Sequence, residues 1–127
     1  MRSFKIALIS FILLIGGCIL YTWYVHHLSS ELILKIDHVH STIATDTTWS
    51  HSENALENFR TQYQPIEKKL YPLISHEQIT QMNTLLDALE QYVSCHDRSN
   101  ALAYTSMLKF QFINIPQEEY INFGNLF

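Results

Sequence analysis

The chain has 127 residues, a net charge of -4, and only three glycines and three prolines. That size permits one small domain, and the scarcity of Gly and Pro disfavours disorder and turn-rich β-sheet, which leaves all-α as the expected fold class. Because Arg2 and Lys5 precede the first apolar run, residues 26–127 carry six Lys and Arg against twelve Asp and Glu, a charge of -6; such a body excludes nucleic acid as a partner and is repelled by anionic lipid headgroups.

After a basic N-terminus over residues 1–5, residues 6–25 read IALISFILLIGGCILYTWYV without a charge. Roughly 20 residues at about 1.5 Å each cover the ~30 Å hydrocarbon core, so a transmembrane helix is expected. Arg2 and Lys5 anchor its near end on the cytoplasmic side, and Tyr21, Trp23 and Tyr24 mark the headgroup boundary at its far end. The expected location is therefore the cell membrane, with one span and an extracytoplasmic C-terminal domain. A cleaved signal peptide would want a shorter apolar stretch and a small-x-small site, whereas here the apolar run continues through aromatic residues. Leu14-Ile15-Gly16-Gly17-Cys18 also fits a lipid-attachment pattern loosely, making a lipoprotein anchored at Cys18 an alternative; the residues after Cys18 are apolar where a polar tether is wanted. Gly16-Gly17 would let another membrane helix approach closely. Cys18 and Cys95 lie in surroundings too different to suggest a bridge.

Beyond the membrane, Leu28, Leu32, Ile36, Val39 and Ile43 share one helical face, predicting that the helix continues as a stalk over residues 26–45. A small antiparallel helical bundle is expected over 46–115. Asp46 or Thr47 can cap its first helix, in which Trp49, Leu56, Phe59, Tyr63, Ile66 and Leu70 recur at helical steps and Pro65 predicts a kink or a division. The next helix starts after Ser75 with Ile79, Met82, Leu86, Leu89 and Val93 on one side. A last helix, capped by Asp97, carries Ala101, Tyr104, Leu108 and Phe112 and closes at Pro116. The short turn from Cys95 to Arg98 makes these last two helices antiparallel neighbours. The tail over 116–127 can dock through Ile121, Phe123, Leu126 and Phe127 or fray.

The stretch LISHEQIT over residues 73–80 begins like a zinc-peptidase helix. His-Glu-x-x-His places two imidazoles one turn apart on one face, and here Thr80 stands where the second imidazole belongs. A capping box accounts for the same residues: Ser75 accepts from the Gln78 amide, Gln78 reaches back, and Glu77 meets the positive end of the helix dipole. Seven histidines raise a metal or pH-sensing reading. However, His26 and His27 lie at the membrane boundary, His38 and His40 point to different sides of a helix, and His76 and His96 stand about 28 Å apart at the two ends of one helix. Only His40 and His51 could meet. Asp87, Glu90, Glu118 and Glu119 read as solvated, and Cys95-His96 as a polar turn. No phosphate loop or nucleophile elbow is visible, so neither a catalytic residue, a metal nor a cofactor is expected.

From Trp49 onward the chain resembles domain-of-unknown-function family 4363, small bacterial single-pass membrane proteins. The resemblance rests on Leu73 to Ile79, Leu89-Glu90-Gln91-Tyr92, Asp97, Ala101, Leu108-Lys109, Ile115 to Glu119 and Asn125-Leu126-Phe127. The family pattern prefers an acid at the positions of Ser75 and Gln78, and Pro72 is atypical. It implies a tethered helical domain, and gives His76 and Glu77 a role in contacting a partner. Together these readings predict a non-enzymatic interaction or accessory module at the cell envelope, bound to the bilayer through residues 6–25 and to a membrane or envelope protein through His76, Glu77, Trp49, Tyr92, Phe123 and Phe127. The alternative is metal-dependent or hydrolytic chemistry at His76 and Glu77.

Overall fold

A computed structural model describes residues 1–126, with side chains through residue 116. The helical periodicities become four helices: α1 (Arg2–Thr45), α2 (Ser50–Leu70), α3 (His76–Ser94) and α4 (Arg98–Leu126). Every regular element among the described residues is α-helical.

Helix α1 runs unbroken for 44 residues, about 66 Å at 1.5 Å per residue. It meets two different surroundings. Phe4 to Leu20 point their large apolar side chains outward, and this stretch is long and apolar enough to cross a membrane. From Val25 the helix instead buries Leu28, Ser29, Leu32, Ile36, Val39 and Ile43. Residues 26–45 are therefore not a stalk standing clear of the bundle. They are its first helix, because the apolar stripe that would leave a stalk exposed to water is covered by α2 and α4.

Each helix packs on its chain neighbours, and α4 closes the ring on α1 with the most extensive contact of all. The links over 46–49, 71–75 and 95–97 are too short to do anything but reverse the chain, so the topology is up-down-up-down. One end of the bundle, here the base, faces the apolar half of α1 and carries the α2–α3 turn; the far end carries the α1–α2 and α3–α4 turns. Helices α2 and α4 stand diagonally, without close backbone contact. Large rings bridge that diagonal: Phe112 lies 6.2 Å from Phe59 and 6.4 Å from Tyr63, centroid to centroid.

Neither proline ends its helix. Pro65 sits on the exposed side of α2, where water can satisfy the carbonyl one turn back, and the helix continues undivided. Pro116 was expected to close α4 at about Ile115, yet the helix runs to Leu126. Its missing amide would have bonded the carbonyl of Phe112, and the buried hydroxyl of Ser29 on α1 donates to that carbonyl instead. A tertiary hydrogen bond thus replaces the local one.

Candidate functional site

At the far end, the side chain of Asp46 organises the α1–α2 turn. Oδ1 accepts from the Thr48 amide at 3.0 Å and Oδ2 from the Ser52 amide at 2.8 Å, with both hydroxyls adding further bonds. Burial alone would raise this carboxyl, but the Ser52 and Thr48 donors outweigh it and hold the group at about 2. Asp46 thereby caps α2, as expected, although Trp49 is the residue immediately before the helix. Trp49 takes up a left-handed backbone, φ 66°, as does His96 at φ 58°. The cause at His96 is local: its amide bonds Val93 and the Asp97 amide bonds Tyr92, the pairing that ends a helix through a left-handed residue. The two rings stack at 5.0 Å, nearly parallel, and the Arg98 guanidinium lies 5.0 Å over the indole. Arg98 Nε donates to the Ile43 carbonyl at 3.1 Å and a second guanidinium nitrogen to the Asp46 carbonyl, closing the C-terminus of α1. Asp97 caps α4 through the Asn100 amide at 3.2 Å, as expected. This end is a clasp whose polar groups satisfy one another.

At the base, Ser75 accepts from the Gln78 amide at 3.2 Å, and Gln78 Oε1 accepts from the Ser75 amide at 3.3 Å. The capping box is formed, with Glu77 in the first turn. The Thr80 hydroxyl donates to the carbonyl of His76 at 2.9 Å, so it is engaged by the backbone. Among the described residues, no three of His, Cys, Asp and Glu are grouped so as to hold a metal ion. His40 and His51 do not meet: His40 Nδ1 lies 2.7 Å from the Thr105 hydroxyl, which itself donates to Leu102. His51 instead shares a shallow groove between α1 and α2 with His38.

Between α2 and α3, Arg60 binds Glu90 through Nε and Asp87 through Nη2 at 2.7 Å; the Glu90 hydrogen bond, aided by that of Asp87, raises its pKa. These two acids, expected to be solvated, share a cation. Nearby, the Tyr63 hydroxyl donates to Asn83, which donates to Glu67. Burial and then the Glu67 charge raise the phenol.

The outer face of α4 differs from every other. Ala103, Met107, Phe110 and Ile113 face solvent there, Phe110 at 62% exposure. From Arg98 to Pro116 the helix contains no carboxylate, and its Lys109 is engaged by Asp37 at 2.9 Å. Sequence reading placed Phe112 and its partners on the core side and passed over Met107, Phe110 and Ile113. The available signal was that Met107, Phe110 and Ile113 recur at helical steps on the side opposite Leu108 and Phe112.

The model of DUF4363, a domain of unknown function, matches residues 19–126. The chain belongs to this family. No curated protein and no solved structure matches it. The DUF4363 match begins at Ile19, within α1, in keeping with the outer half of that helix being part of the bundle.

The expected contact residues do not form one site. Trp49 belongs to the far-end clasp, and His76 and Glu77 to the base. Tyr92 is half-buried against Tyr104, ring centroids 5.0 Å apart; the hydrogen bond and charge of Tyr104 raise its phenol. The side chains of Phe123 and Phe127 lie outside the described residues. Of the residues expected to anchor the span, Arg2 and Lys5 are exposed, Trp23 is exposed and stacks on His27 at 5.6 Å, and Tyr24 packs against the core. Tyr21 donates to the carbonyl of Leu73. Cys18 and Cys95 are both exposed thiols.

Proposed function

We propose that the chain is a non-enzymatic contact module of the bacterial cell envelope, anchored by α1 in the cell membrane with the bundle on the extracytoplasmic side. Arg2 and Lys5 ahead of the span support that orientation. The observation that carries the reading is the outer face of α4. Large apolar side chains at helical spacing on a solvent face mark a contact surface, and α4 leaves Met107, Phe110 and Ile113 in solvent, with only Ser106 and Asn114 interspersed, while α2 and α3 present acids. An apolar helix of a neighbouring membrane or envelope protein would cover this stripe, with Phe110 as its central anchor.

A photo-crosslinking residue at Phe110, in intact membranes, tests this. A discrete protein adduct is expected from position 110 and none from Glu57 on the exposed side of α2. No adduct at 110, or the same adducts from 57, would overturn the reading. For the alternative chemistry at His76 and Glu77, the decisive measurement is metal content: stoichiometric zinc that disappears in His76→Ala would replace a contact module with a metal-dependent one.

A further inference from the structure

The exposed apolar rod of α1 is short for its task. From Ile6 to Leu20 every large apolar side chain points outward, but those 15 residues span only about 22 Å, against a hydrocarbon core of about 30 Å. The next turn is already engaged by the bundle: Tyr21 holds the carbonyl of Leu73, and Val25 is the first core residue. The bundle has no spacer between itself and the lipid. Its base must sit at the hydrocarbon boundary.

The α2–α3 turn occupies that level. Hung from Tyr21, it lies one turn of α1, about 6 Å, closer to the lipid than Val25. It presents Lys68, Lys69, Tyr71 and Pro72 outward, with Tyr71 49% exposed and Leu73 half-buried behind them. Of the other cations of the bundle, Arg60 binds Glu90 and Asp87, Lys109 binds Asp37, Arg98 closes α1, and Lys35 stands alone among the described residues on the side of α1. Lys68 and Lys69 make no ion pair among the described residues. The negative end of the α2 dipole favours lysines in that turn, but it does not account for an exposed Tyr-Pro beside them. Lysine ammonium groups, an amphipathic phenol and a small apolar side chain at one depth are what a headgroup layer takes up. Two acids flank the lysines, Glu67, which accepts from Asn83 on the α3 side, and Glu77, exposed in the first turn of α3, so the lysines stand out by position and not by net charge.

We propose that the α2–α3 turn is a lipid-contact surface, with Tyr71 and Pro72 lodged among the headgroups and Lys68 and Lys69 facing lipid phosphates. The net charge of the bundle repels anionic lipid, while Lys68 and Lys69 put two ammonium groups, unpaired among the described residues, at the end that meets the membrane. The proposal rests on α1 lying in the bilayer and not on the partner assigned to α4.

The full chain, with Cys18→Ser and Cys95→Ser, is placed in nanodiscs of neutral lipid with and without phosphatidylglycerol. A fluorophore is attached in turn through Leu13→Cys, Pro72→Cys and Ser99→Cys, and lipids are included that carry a quencher partway down the acyl chain for position 13 and near the headgroup for positions 72 and 99. Labels at 13 and 72 should be quenched, the latter several-fold more than the label at 99. The quenching at 72 should be stronger in anionic discs, and Lys68→Gln with Lys69→Gln should abolish that preference. A label at 72 no more quenched than at 99, with 13 quenched, would overturn the lipid contact and leave the anchor standing. A label at 13 that escapes quenching would overturn both. Equal quenching at 72 in neutral and anionic discs would overturn the role of the lysines.

Discussion

The Ser29 hydroxyl on α1 donates to the carbonyl of Phe112 on α4, the group that Pro116 leaves without its helical amide. A buried carbonyl without a donor costs roughly 1–3 kcal/mol. Ser29→Ala should therefore lower the unfolding free energy by about that amount. In a Pro116→Ala background, where residue 116 regains an amide, the same change should cost clearly less. Urea unfolding of the two single variants and the double variant measures the coupling, and additive costs would show that Ser29 does not replace the missing bond.

The place of α1 in the bundle can be read from two leucines. Leu32 is fully buried, and Leu34, two residues on, is 72% exposed. Leu32→Ala should cost about 2–5 kcal/mol, and Leu34→Ala no more than about 0.5 kcal/mol. Thermal or urea unfolding in detergent would separate them; equal small effects would restore the stalk.

Arg98 ties the first residue of α4 to the last carbonyls of α1. Charge-assisted hydrogen bonds to backbone carbonyls contribute about 1.5–3 kcal/mol, so Arg98→Ala should destabilise the bundle by roughly 2 kcal/mol. Arg98→Lys should recover less than half of this, because an ammonium keeps the charge but neither the fork nor the flat surface over Trp49. The near-ultraviolet signal of Trp49 should change in both variants.

Acid should loosen the same end. The Asp46 carboxyl is held at about 2 in the folded chain against an ordinary value of 3.8. As pH falls, the unfolded chain takes up its proton first. The stabilisation is therefore complete above the unfolded value and is lost as pH falls toward the folded one. Melting temperatures followed from pH 5 to pH 2 should drop more steeply in the native chain than in Asp46→Asn. Parallel curves would assign the acid sensitivity to other carboxylates.

Much of this was legible along the chain. The apolar run and its flanking charges, the helical steps of Phe59, Tyr63 and Ile66, the capping box at Ser75 and Gln78 and the cap at Asp97 are local features, set by residues within a turn or two of each other. Such features appear in a linear reading because their physics is short-ranged. The same logic identified why His76 and Glu77 stand together, as parts of a helix start.

What the tertiary structure alone decided concerns partners distant in sequence. The stripe from Leu28 to Ile43 looks the same whether it edges a stalk or lines a core, and only the packing of α2 and α4 on it distinguishes them. Pro116 reads as a helix end until a hydroxyl 87 residues earlier supplies the missing donor. Lys68, Lys69 and Tyr71 appear as an unremarkable end of α2 until Tyr21 ties the turn that follows them to the apolar half of α1. Periodicity reports which side of a helix is apolar, whereas burial depends on what comes to rest against it, and that follows from the closing of the ring between α1 and α4.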